Sequence, residues 1–173
     1  MTTPLSTVFA SVTVMENPAW ETAAVRVKEA LAHLGSAARV IVTDGSARTA
    51  AEAARTLGCD VGAIGNSLVF MADGFPLLVL TSGAHRVDTA ALAQRLDKQK
   101  IKRASAEQVY EATGQQVGGV APVGHPAPVE TVIDRDLGGY PDVWVAAGPP
   151  FSVFRTDLDE LVRITGGAVV RVD

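Results

Sequence analysis

Apolar residues recur along the chain at two spacings, and the switches between them mark out its elements. Val27, Leu31 and Leu34 fall three and four apart, on one face of a helix. Asn17-Pro18 opens that helix, because Asn accepts from an unpaired N–H and Pro lacks one, and Gly35 closes it. Arg39-Val40-Ile41-Val42 reads as a short strand. Thr49-Ala50-Ala51-Glu52 has the form of a capping box, in which hydroxyl and carboxylate each take one orphan backbone N–H, and its helix ends at Leu57-Gly58. Ser67-Leu68-Val69-Phe70-Met71 and residues 75–80 flank Asp73-Gly74, a pair that tolerates the positive φ of a hairpin turn. Further helices are predicted after Asp88, carrying Leu92 and Leu96, and from the cap Ser105 through Val109 and Tyr110 to Gly114. Residues 117–128 hold prolines and paired glycines in succession too quick for helix or central strand, so they form a structured loop. Beyond it, Thr131-Val132-Ile133, Val143-Trp144-Val145-Ala146 and residues 151–154 read as strands. Thr156 is the predicted cap of a last helix with Leu158, Leu161 and Val162, which ends at Gly166-Gly167 before a closing strand at 168–172. Interspersed helices and strands with one tight hairpin exclude a purely parallel sheet and predict an α/β (mixed α+β) fold. The pattern does not choose between an open sheet and a barrel.

Composition narrows the class. A chain of 173 residues with no repeat and no linker is expected to form one domain, 1–173. With 47% hydrophobic and 20% charged residues and a mean hydropathy of +0.21, it has the material for a core. The single Cys59 permits no internal disulfide, as suits a reducing compartment. Residues 1–20 lack the basic start of a secretory signal, and no apolar run reaches the roughly 18 residues of a membrane span. A cytoplasmic protein without a membrane partner is the expectation. A net charge of −4 argues against a broad nucleic-acid-binding surface but permits a local basic patch. The one dense cluster, Lys98, Lys100, Lys102 and Arg103, reads as a solvated helix end and loop.

Familiar catalytic patterns are absent. His33, His85 and His125 stand far apart with no metal-ligand spacing, so no metal is expected. No G-x-S-x-G elbow and no phosphate-binding G-x-x-x-x-G-K loop occurs. Cys59 has no cationic neighbour in sequence and reads as packing, as does Trp144 between Val143 and Val145. What remains is Thr113-Gly114-Gln115-Gln116-Val117-Gly118-Gly119-Val120-Ala121-Pro122-Val123-Gly124-His125. Adjacent glycines let backbone N–H groups approach a ligand with no side chain between, and the proline stiffens the turn. Such a loop either presents fixed amide dipoles to a reacting carbonyl or is an ordinary surface loop.

This run resembles the signature of the YbaK/aminoacyl-tRNA deacylase family, related to the editing domain of bacterial prolyl-tRNA synthetases, whose G-x-x-x-P core is met by Gly118, Gly119, Val120, Ala121 and Pro122. Further pieces agree in order: Thr49-Ala50-Ala51-Glu52-Ala53-Ala54, Ser67-Leu68-Val69-Phe70, Arg86-Val87-Asp88, Ile133-Asp134 and Ala147-Gly148. The resemblance implies a YbaK-like mixed, partly barrel-like β-sheet surrounded by helices. It implies hydrolysis of the ester of a mischarged tRNA, with the loop 118–122 positioning the ester or its water and a substrate group assisting. It implies no cofactor, the tRNA acceptor end as partner, and an aminoacyl-tRNA synthetase as a further one. Asn66, Ser67, Asp134, Ala147 and Gly148 then fall at substrate-binding positions, with Asn66 and Asp134 orienting the 3′ end and the amino group. The sequence departs from the pattern at Asn66, where family members carry Lys, and at Ala121, where they carry Ser. An amide cannot make the charge-assisted contact of an ammonium with phosphate. The alternative is therefore a catalytically silent module of the same fold that binds a small ligand or a protein.

Overall fold

The computed structural model describes residues 18–173. The predicted cap Asn17 and most of the stretch 1–20 lie outside them. The elements follow the order α1 (Pro18–His33), β1 (Val40–Val42), α2 (Ala50–Leu57), β2 (Ile64–Ala72), β3 (Phe75–Ser82), α3 (Thr89–Arg95), β4 (Ile101–Arg103), α4 (Ala106–Thr113), β5 (Glu130–Asp134), β6 (Val143–Ala146), β7 (Ser152–Thr156), α5 (Leu158–Thr165) and β8 (Ala168–Val170). The capping box at α2 forms, with Thr49 Oγ1 accepting from Glu52 N–H, and the cap Ser105 proves to be a second box: its Oγ accepts from Gln108 N–H while the Gln108 side chain accepts from Ser105 N–H. Asp88 caps α3 through the N–H groups of Ala90 and Ala91. At α5 the cap is Asp157, not Thr156: its carboxylate accepts from Glu160 N–H, while Thr156 ends β7 and donates to the Glu160 carboxylate. Asp and Thr are both good caps, and the turn begins one residue later than the pattern suggests.

The eight strands form one mixed sheet in the order β1-β7-β6-β2-β3-β5-β8, with β4 paired to β2 off this path. The hairpin β2–β3 turns on Asp73 (φ 51) and Gly74 (φ 88), as its dipeptide requires. The Asp73 carboxylate also accepts from the N–H groups of Gln99 and Lys100, which ties the turn to the approach to β4 and holds that carboxyl below its ordinary range. Pairs β2–β6, β3–β5 and β5–β8 are parallel; the others are antiparallel. The basic run read as helix end and loop contains β4: Ile101 is buried and pairs with Ala72, while Lys102 and Arg103 stay exposed.

Each face of the sheet has its own core. On one, Val69, Leu78, Leu80, Ile133, Val145 and Phe154 pack against α1, α5 and the loop after α4. On the other, Phe70, Leu77, Val79 and Val132 pack against α3 and Ile101. Burial of these apolar surfaces supplies the main driving force of folding. The connectivity of β2 prepares the site. Since β3 occupies one edge of β2 from Gly65 to Ala72, both β6 and β4 must share the other. There β6 reaches only Ile64 and Gly65, and β4 only Phe70 to Ala72. The edge between them, at Asn66, Ser67 and Leu68, has no strand beside it.

Candidate functional site

That gap opens into a cavity of about 490 Å³. Asn66 and Ser67 line it, as do Gly118 and Val120 from the loop after α4. Adjacent strand residues point to opposite faces, so Ser67 lies on the side of Val69 and Asn66 on the side of Leu68. Accordingly the lining draws on both cores: Val109 and Val120 belong to the first, Leu68 to the margin of the second. The Ser67 hydroxyl is buried and has no hydrogen-bond partner among the described residues.

The loop is held without regular secondary structure. Gly119, Val120, Ala121, Pro122 and Val123 are all buried, and buried backbone groups need partners. Gly119 donates its N–H to Gln116 O (3.2 Å) and accepts from Gly148 N–H (2.9 Å). Ala121 N–H donates to Gln115 Oε1 (2.6 Å), and Ala121 C=O accepts from His125 Nε2 (2.8 Å). Between these tied residues, Val120 keeps both its N–H and its C=O free of partners among the described residues. A carbonyl oxygen only accepts, so His125 carries its proton on Nε2. Burial pushes the pKa of His125 below the ordinary value, against the pull of this bond.

The remaining residues singled out in the sequence lie elsewhere. Ala121 and Pro122 are buried behind the loop and do not line the cavity. Ala147 and Gly148 back the loop: Gly148 (φ 108) brings its N–H and carbonyl against Gly119, and Ala147 N–H bonds Ser152 O. Asp134, 1% exposed, is also outside the lining. Its carboxylate is occupied by Ser82 N–H (2.9 Å), Asp136 N–H (3.1 Å) and His85 Nδ1 (2.8 Å). His85 Nε2 lies 3.3 Å from Asp136, and His85, Asp134 and Asp136 gather their ligand-type atoms within 4.8 Å. Each is already bonded to another, which is the geometry of an ion-paired network.

Three features of the site escape the sequence pattern. Trp144 is half-buried and lines the cavity, on the strand face opposite the buried Val143 and Val145, so it is not a core residue. Arg48 and Arg103 also line the cavity, their guanidinium carbons 5.8 Å from the ring centres of Phe151 and Phe70. Neither forms an ion pair among the described residues. The charge missing at Asn66 is thus present at two other points of the wall. Among the described residues lining the cavity there is no His, Cys, Asp or Glu.

A mixed α+β domain with a split-edge cavity and a glycine-proline loop of free backbone dipoles defines a class of protein, and comparison places this chain within it. Residues 44–164 match the aminoacyl-tRNA editing domain family, and the chain belongs to that family. It is 38% identical over 102 residues to the proline–tRNA ligase of Bacillus licheniformis, covering 59% of this chain but only 16% of the ligase. An uncharacterized protein of Bacillus subtilis, YwhH, is 30% identical over 67% of this chain and 74% of its own length. Among solved structures, one described as a candidate trans-editing enzyme for prolyl tRNA synthetase superposes with a TM-score of 0.81 at 40% identity, covering 87% of this chain and 96% of that one.

Proposed function

We propose that the protein is a trans-acting aminoacyl-tRNA deacylase of the cytoplasm, hydrolysing the ester between a mischarged amino acid and the 3′-terminal ribose. Water adds to the ester carbonyl carbon, the bond to the ribose oxygen breaks, and that oxygen takes up a proton. The observation that carries this reading is a cavity with no His, Cys, Asp or Glu among the described residues of its wall, lined by Val120, whose backbone N–H and C=O have no partner among those residues. Such a site suits a substrate that brings its own proton-handling group, the neighbouring ribose hydroxyl, to fixed backbone dipoles. The N–H polarises the ester carbonyl, and the C=O accepts from the attacking water or the hydroxyl. Asn66 and the orphan Ser67 hydroxyl hold the substrate from β2, and Arg48 and Arg103 attract the phosphates of the acceptor end. The loop residues Gly118, Gly119, Ala121 and Pro122 set the backbone geometry, with Ala147 and Gly148 behind them. A synthetase that makes the mischarged product is the natural partner.

Purified protein incubated with a panel of mischarged tRNAs is expected to release amino acid faster than the uncatalysed rate from at least one. No release from any of them rejects the reading. Asn66 in place of Lys favours a second one, a silent binding module. An Asn66→Lys variant that deacylates where the parent does not would support that module.

A further inference from the structure

We propose that Gln115 and His125 are positioning residues that aim the carbonyl of Val120, a role that rests on the deacylase reading above. Gln115 is polar and 2% exposed. Both ends of the amide are engaged, though not every donor: Oε1 accepts from Ala121 N–H and Nε2 donates one hydrogen to Val123 C=O (3.1 Å). Its own backbone is fixed by Thr113, the last residue of α4, whose Oγ1 accepts from Gln115 N–H (3.1 Å) and donates to Val109 O one turn back in the helix (2.7 Å). His125 closes the other side of Ala121 through Nε2–H.

The consequence follows from peptide planarity. Val120 C=O shares a trans peptide with Ala121 N–H and points the opposite way. Fixing that N–H on Gln115 therefore fixes Val120 C=O away from Gln115. Val120 N–H shares its peptide with Gly119 C=O, which Gly148 N–H holds. One plane is thus aimed by Gln115 and the next by Gly148, while His125 prevents Ala121 from rotating. A loop lacking helix or sheet gains from two side chains the orientation that a ladder would supply. The lowered pKa of this half-buried His125 favours the neutral ring, whose Nε2–H still donates to Ala121 C=O.

Deacylation kinetics and thermal unfolding of four proteins test this. In Gln115→Met, which keeps the length and removes both bonds, kcat is expected to fall about ten- to a hundredfold with KM changed less than about twofold. His125→Leu is expected to behave likewise, and His125→Gln, whose amide nitrogen can reach the place of Nε2, to recover most of the lost rate. Unchanged kcat in Gln115→Met, alongside only a lower Tm, overturns the proposal. Should Gln115→Met not fold, equal kcat in the two His125 variants overturns it. If the parent itself releases no amino acid, the deacylase reading fails separately. The clamp is then judged by amide exchange: about tenfold faster exchange at Ala121 in His125→Leu than in the parent supports it, and no change rejects it.

Discussion

Gly118 and Gly119 are neighbours under different constraints. A Cβ on Gly118 would meet nothing within 4 Å, but its φ of +93° disfavours any L side chain. On Gly119 a Cβ would press on the Gly148 carbonyl oxygen, which belongs to the backbone and cannot turn aside. Gly118→Ala is therefore expected to cost about 1–2 kcal/mol, and Gly119→Ala about 3 kcal/mol, the upper end of overpacking. Urea unfolding of the two variants decides, and the reverse order would contradict the packing described. The sequence made the glycine run legible, because paired glycines followed by proline have few other uses. It did not show which glycine is sterically locked, since the locking atom lies in Gly148, two strands further along the chain. Gln115 left a fainter signal, a polar residue between a helix-ending glycine and an apolar stretch. Trp144 left a clearer one, because strand alternation alone sets it opposite Val143 and Val145.

At the level of elements, the capped helices and the Asp73-Gly74 hairpin were legible because local chemistry decides them. The strand β4 was not. Three residues, Ile101-Lys102-Arg103, are too few to show a period, and charge on an edge strand reads the same as charge on a loop. Its tertiary partner Phe70 to Ala72 determines its conformation. That strand brings Arg103 to the cavity wall, so on the proposed deacylase reading Arg103→Ala is expected to weaken tRNA binding and reduce the slope of log K against log salt by about one unit. Filter binding at several salt concentrations measures it, and an unchanged slope would remove Arg103 from the nucleic-acid contact. The cap of α4 offers a second test, because that helix leads directly into the loop. Ser105→Ala is expected to lower stability by about 1 kcal/mol while kcat holds within about twofold, since Thr113 and Gln115 anchor the loop at the other end of the helix. A large loss of kcat in this variant would mean that the loop takes its order from the whole helix.

Across the whole molecule, His85 connects places that the sequence keeps far apart. It follows β3, bonds Asp134 at the end of β5 and Asp136 just beyond, and feels the charge of Asp173. No spacing rule anticipates such a group, because only the parallel pairing of β3 and β5 brings the two strand ends together. The hydrogen bond to Asp134 raises the pKa of His85 most, burial opposes it, and the charges of Asp134, Asp173 and Asp136 add to the rise. A group whose pKa is higher folded than unfolded stabilises the fold fully below the unfolded value, ordinarily 6.5 for histidine. That stabilisation disappears as pH rises through the folded value. The urea midpoint of the parent is thus expected to exceed that of His85→Gln most at about pH 5.5, with the difference shrinking toward about pH 8.5. Glutamine can still bond Asp134 but carries no charge, so the pH-dependent part of the difference isolates the ion pair. A gap that stays constant across this range would mean that His85 holds the strand ends together as a neutral hydrogen-bond donor, without the charge.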